Sequence, residues 1–129
     1  MPETELPKDE KSFGRRLQEL RRHRGLTQRG LAGRVGIDFT YLSKLENGRG
    51  EPPSDQTVVK LAGELEADAE ELLALAGKIP AELREKAADD PEFALLLRRL
   101  PSLPKDVMDR IYKNAKIPRR DKSGPEDTR

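Results

Sequence analysis

The chain has 129 residues, 34% hydrophobic and 38% charged, with a net charge of +1, which suits one domain with a small core and helices that keep broad solvated faces. It contains no cysteine and a single histidine, His23, so a disulfide framework and a thiolate metal site are excluded and most catalytic and zinc schemes lack their parts. No apolar run approaches the roughly 20 residues of a bilayer span, and the acidic start MPETELPKDEK lacks an apolar signal segment, so a cytoplasmic protein without membrane attachment is expected.

Residues 1–11 are polar, carry two prolines and show no period, the composition of a flexible arm. Ser12 can cap a first helix in which Phe13, Leu17 and Leu20 recur at i, i+4 and i+7 as one buried stripe, with Arg15, Arg16, Arg21 and Arg22 on other faces. Gly25 ends it. Thr27 can cap a second helix with Leu31, Ala32 and Val35 inward, and Gly36 supplies the flexible residue of a tight turn. Asp38 can cap a third helix whose stripe is Leu42 and Leu45, stopped by Asn47-Gly48. After the loop RGEPPSD, Ser54 can cap a fourth helix turning Val58, Leu61, Ala62 and Leu65 inward. Asp68 to Glu71 has the form of a capping box. It opens a fifth helix expected to bury Leu72, Leu73 and Leu75 before Gly77 and Pro80 interrupt it, so a five-helix unit is expected over residues 12–78.

Pro80, Pro91, Pro101 and Pro104 divide the C-terminal part of the chain into short helical candidates at 81–88, 91–100 and 104–115, each of a length that is marginal alone and needs a surface to pack on. In the second, Phe93, Leu96, Leu97 and Leu100 form a stripe that fits either the five-helix unit or a second chain. Residues 79–115 are expected to be a helical extension for dimer or partner contact. Residues 116–129 read as a disordered tail. With no strand alternation the fold class is all-α. Charge is sorted along this plan: residues 11–60 hold eleven Lys/Arg against five Asp/Glu, whereas residues 61–103 hold five against ten. A basic half suits a polyanion such as DNA.

The two short helices around Gly36 form the most informative stretch, LTQRGLAGRVGIDFTYLSKLENGR. It resembles the Cro/CI-type helix-turn-helix family, also called the XRE family, through T-Q-x-x-L-A-x-x-x-G-I at Thr27 to Ile37 and Y-L-S-K-L-E-N-G-R at Tyr41 to Arg49. The resemblance covers about residues 12–78 and implies a five-helix, lambda-repressor-like DNA-binding domain. Thr27, Leu31, Ala32, Val35, Gly36, Ile37, Asp38, Leu42 and Leu45 then build the helix crossing, and Arg21 and Glu46 form an internal ion pair. The resemblance further implies base-facing roles for Phe39, Thr40 and Lys44, and contacts to the DNA backbone from Gln28, Tyr41, Ser43, Asn47 and Arg49. An inward-packed ring is the competing reading of Phe39. Two departures stand out: Gly30 and Gly33 replace better helix formers, and the acidic Asp38 caps well but repels phosphate, which favours a structural role.

These features imply a sequence-specific regulator of transcription, a repressor on a palindromic operator of double-stranded DNA, acting as a homodimer. The alternative is an antitoxin or protease-controlled repressor whose C-terminal half binds a protein partner, a toxin or a regulatory peptidase. No enzyme, cofactor or metal is expected. His23, among Arg21, Arg22 and Arg24, fits an exposed structural residue.

Overall fold

A computed structural model describes residues 12–119, and among them all regular structure is helical. The arm expected over 1–11 and the tail from residue 120 onward lie outside the described residues. Five helices come first: α1 (Ser12–His23), α2 (Gln28–Val35), α3 (Phe39–Glu46), α4 (Asp55–Leu65) and α5 (Ala69–Leu75). After them come α6 (Ala81–Asp89), α7 (Pro91–Arg99), a 3-10 turn (Leu100–Ser102) and α8 (Lys105–Asn114). The described residues fall into two units, 12–79 and 80–119.

Helix starts in the first unit are set by local side-chain chemistry. Thr27 Oγ1 accepts from the Gly30 amide at 2.9 Å, Asp38 from Thr40 at 2.9 Å, Ser54 from Thr57 at 3.1 Å and Asp68 from Glu70 at 3.0 Å. Each satisfies an amide that the first turn leaves without a partner. The expected capping box at Asp68 is not formed: Asp68 caps the Glu70 amide instead of that of Glu71, and the Glu71 carboxylate accepts from Arg16 Nε of α1 at 3.2 Å. That ion pair joins α5 to α1, a use of Glu71 that no local pattern reveals.

The core is built from the expected stripes. Leu17, Leu31, Ala32, Val35, Leu42, Leu45, Leu61 and Leu65 form one buried cluster, and Val58, Ala62 and Leu72 a second, with half-buried Phe13 and Leu20 packed against both. Leu73 and Leu75, expected inside, pack at the edge of the second cluster and remain partly exposed. At roughly 1.5–3 kcal/mol per large buried aliphatic side chain, this burial is the main favourable contribution in so small a core. Gly14 is also buried. A side chain there would collide with the Leu45 carbonyl oxygen and put its Cβ 2.7 Å from the carbonyl oxygen of Glu46, so a glycine lets α1 cross the end of α3 in backbone contact.

In the second unit α6 packs on α7, and Lys86 lies over the Phe93 ring at 5.0 Å. Asp90 caps α7 by accepting from the Phe93 amide at 3.1 Å. The helix ends one residue earlier than expected, because Pro101 has no N–H to continue the ladder and the chain tightens into the 3-10 turn. Of the expected stripe, Phe93, Leu97 and Leu100 are half-buried and Leu96 is exposed.

Candidate nucleic-acid interface

The turn between α2 and α3 is held by Gly36, at φ 84° and ψ 33°, with the Gly36 and Ile37 amides donating to the Ala32 carbonyl at 2.8 and 3.0 Å. This left-handed residue ends α2 abruptly and lets α3 start three residues later, at Phe39. Leu42, Leu45 and Glu46 are buried on the inner side of α3, which leaves Thr40, Lys44 and Asn47, at i, i+4 and i+7, exposed on its outer side. Phe39, Tyr41 and Ser43 are half-buried along the edges of that stripe.

A polar network anchors both ends of this arrangement. Arg21 donates to Glu46 through Nε at 2.6 Å and Nη2 at 3.0 Å, and through Nη1 to the Leu26 carbonyl at 2.9 Å. Gln28 Nε2 donates to the same carboxylate at 2.9 Å. Glu46 thus ties the end of α3 to α1 and to the first residue of α2. Hydrogen bonding to Glu46 raises the Arg21 pKa above its ordinary value against the opposing effect of burial, so the guanidinium stays charged.

Several expected DNA-contacting groups have partners within the chain. The Tyr41 hydroxyl donates to the Glu51 carbonyl at 3.2 Å, which pins the loop after α3, and burial followed by the nearby Glu51 charge raises its pKa. Asn47 Nδ2 donates to the Ser43 carbonyl at 2.9 Å. Phe39 packs on the core cluster, and the Arg29 guanidinium carbon lies 4.2 Å from its ring centroid. The ring is therefore packed inward beneath a cation that sequence reading passed over. Ten residues separate the two, and no local spacing signals the contact. Lys44 lies against Gly50, at φ 86°, where a Cβ would come within 3.1 Å of the lysine Cβ.

Electrostatics separate this face from the rest of the unit. Arg16 pairs with Glu71 at 3.2 Å, Arg24 with Glu66 at 2.7 Å, Arg34 with Glu64 at 3.5 Å and Lys78 with Asp55 at 3.7 Å. Each acid comes from α4, its C-terminal end, or α5. Among the described residues no carboxylate lies within ion-pair distance of Arg29 of α2, Lys44 of α3 or Arg49 just after it.

A family model described as a helix-turn-helix domain matches residues 14–78, just over half of the chain. The chain belongs to the helix-turn-helix family. Its T-Q-x-x-L-A and Y-L-S-K-L-E-N-G-R runs place it among the Cro/CI-type (XRE) regulators, so the first unit is an all-helical DNA-binding domain. The chain is 46% identical over 76 residues to the HTH-type transcriptional regulator RghRB of Bacillus subtilis (strain 168), a match covering 57% of this chain and 55% of RghRB. It is 35% identical over 85 residues to the HTH-type transcriptional repressor RghR of the same organism, covering 66% and 63%. The match thus spans less than two thirds of either relative. A crystal structure of SinR, master regulator for biofilm formation, in complex with DNA is similar at 30% identity and a TM-score of 0.45, over 47% of this chain and 97% of that one. RghRB and RghR are both named as regulators of transcription. Among the described residues no helix is long and apolar enough to cross a membrane.

Proposed function

We propose that the chain is a sequence-specific repressor that binds a palindromic operator as a homodimer, with α3 in the major groove and α2 across the phosphate backbone. The observation that carries this reading is the sorting of cations. Among the described residues Arg29, Lys44 and Arg49, on and beside α3, have no acidic partner, a state shared outside this face by Arg22 of α1 and Lys60 of α4, while Arg16, Arg24 and Arg34 are paired with acids of α4 and α5. Phosphate attraction supplies most of the affinity for DNA, so it draws the α3 face inward.

Thr40 and Lys44, on the exposed stripe, read base edges, lysine suiting guanine O6 and N7. Gln28, Tyr41, Ser43, Asn47 and Arg49 contact sugar and phosphate. The Gln28 amide has two hydrogens; with one on Glu46, the other is directed to a phosphate, so the buried network sets its aim. With its hydrogen on the Glu51 carbonyl, Tyr41 meets the backbone by ring contact rather than by donation. RghR, named a repressor, supports the same direction of control. Mobility-shift selection on genomic fragments tests the reading. Two related half-sites about 34 Å apart are expected, and failure to enrich any sequence removes it.

A second reading is favoured by Leu95, Leu96 and Ile111, which stay 47%, 49% and 38% exposed on α7 and α8. Residues 79–115 then hold a partner, a second copy or a protein such as a toxin or a regulatory peptidase. Sedimentation of the full chain distinguishes them, since a monomeric mass leaves only the separate protein.

A further inference from the structure

We infer that Arg29 reads a guanine in each half-site, and that Phe39 is the positioning residue that aims it. Arg29 is the second residue of α2 and Phe39 the first of α3, so the stacked pair joins the starts of the two helices. Because α3 must first enter the major groove, this role rests on the function proposed above.

The chemistry follows from the stacking. Phe39 is anchored by its packing on the core cluster, so it offers a fixed platform. The guanidinium sits 4.2 Å above that ring. At that distance the guanidinium is in contact with the ring face, and its donors that do not meet the ring remain available. No carboxylate among the described residues competes for them. The side chain is exposed yet held, so part of the rotamer freedom that an arginine loses on binding is already gone. A planar two-pronged donor matches guanine O6 and N7 in the major groove, and the residues at the start of a recognition helix are the ones that reach base edges. A phenyl ring alone offers only apolar contact to a thymine methyl. A phosphate contact needs charge without fixed orientation, which Arg49 already supplies beside α3.

The test is selection of randomised duplexes by the full-length wild type, Arg29→Gln, Arg29→Lys, Phe39→Leu and Phe39→Tyr, with helicity checked by circular dichroism. One guanine position per half-site should lose its preference by roughly 5- to 150-fold in Arg29→Gln. Arg29→Lys should lose only part of it while keeping the wild-type salt dependence, because the charge and a guanine donor stay and the planar fork is gone. Phe39→Leu should weaken the same position only, and Phe39→Tyr, which keeps the ring, should restore it. A motif unchanged in Arg29→Gln with uniformly weaker binding overturns the inference, as does a guanine preference retained in full by Phe39→Leu. In both cases the motif selected by the wild type leaves the docking of α3 intact. If the wild type selects no motif, the docking and this role fall together.

Discussion

Arg21 grips both oxygens of the Glu46 carboxylate, from Nε at 2.6 Å and Nη2 at 3.0 Å, and so fixes the end of the helix that carries Thr40 and Lys44 outward. A buried ion pair orients more than it stabilises, but removing one partner strands the other. Glu46→Gln should lower unfolding stability by about 3 kcal/mol, and a double replacement, Arg21→Met with Glu46→Leu, should recover most of it. Urea unfolding followed by circular dichroism measures both, and a double variant as weak as the single one refutes the stranded-charge account.

Two glycines should respond oppositely to alanine. Gly14 lies in backbone contact with α3, whereas a Cβ on Gly33 meets nothing within 4 Å. Gly14→Ala should cost about 1–3 kcal/mol through overpacking. Gly33→Ala should stabilise by about 0.5–1 kcal/mol, because alanine loses less chain entropy in a helix. Thermal melts of the two variants check the signs.

The Tyr41 phenol should stay protonated to higher pH in the folded chain than in the unfolded one, since burial and Glu51 both disfavour the phenolate. Its contribution is then fully present below the unfolded pKa and is lost as pH rises through the raised folded value. Phenolate absorbance of a Tyr112→Phe variant, titrated folded and in urea, reports this tyrosine alone. Ionisation at lower pH in the folded protein contradicts the assignment.

DNA binding should separate the cations by their partners. Arg49→Ala should reduce the slope of log affinity against log salt by about 0.9, one phosphate contact, while Arg34→Ala, paired with Glu64, should leave it unchanged. Lys44→Ala should change base preference. Gln28→Ala should weaken all sites alike. Affinities across a salt series on matched and mismatched duplexes measure all four, and equal slopes for Arg49→Ala and Arg34→Ala defeat the proposed orientation.

Ending the chain after Lys78 should leave a helical fragment that binds a two-half-site operator roughly 100-fold more weakly, because linked half-sites lose their shared effective concentration. Sedimentation and operator binding at fixed salt test this together. Unchanged mass and affinity discard an assembly role for residues 79–115.

Local chemistry was the legible part of this molecule. Thr27, Asp38 and Ser54 cap the helices they precede, and the stripes through Leu17, Leu31, Leu42 and Leu61 form the core, because caps and periodicity act within a few residues. Contacts between distant segments were hidden. Glu71 looked like half of a capping box and instead holds Arg16, and Gly14, beside the first-helix stripe, has a reason visible only once α3 crosses it. A lone glycine inside a helical segment was the available signal. For the candidate site, the exposed positions Thr40 and Lys44 follow from their place opposite Leu42 and Leu45, whereas the Arg29 stack depends on how the Gly36 turn brings two helix starts together. The Arg21 and Glu46 partnership came from family resemblance, as no spacing rule links residues 25 apart.

The acids of α4 and α5 that cancel Arg16, Arg24 and Arg34 also make the first unit electrically lopsided. In the proposed docking, such a body near a duplex experiences torque as well as attraction, which would turn its α3 side forward before any base is touched. Random collisions are thereby converted into correctly presented ones, shortening the search for a half-site.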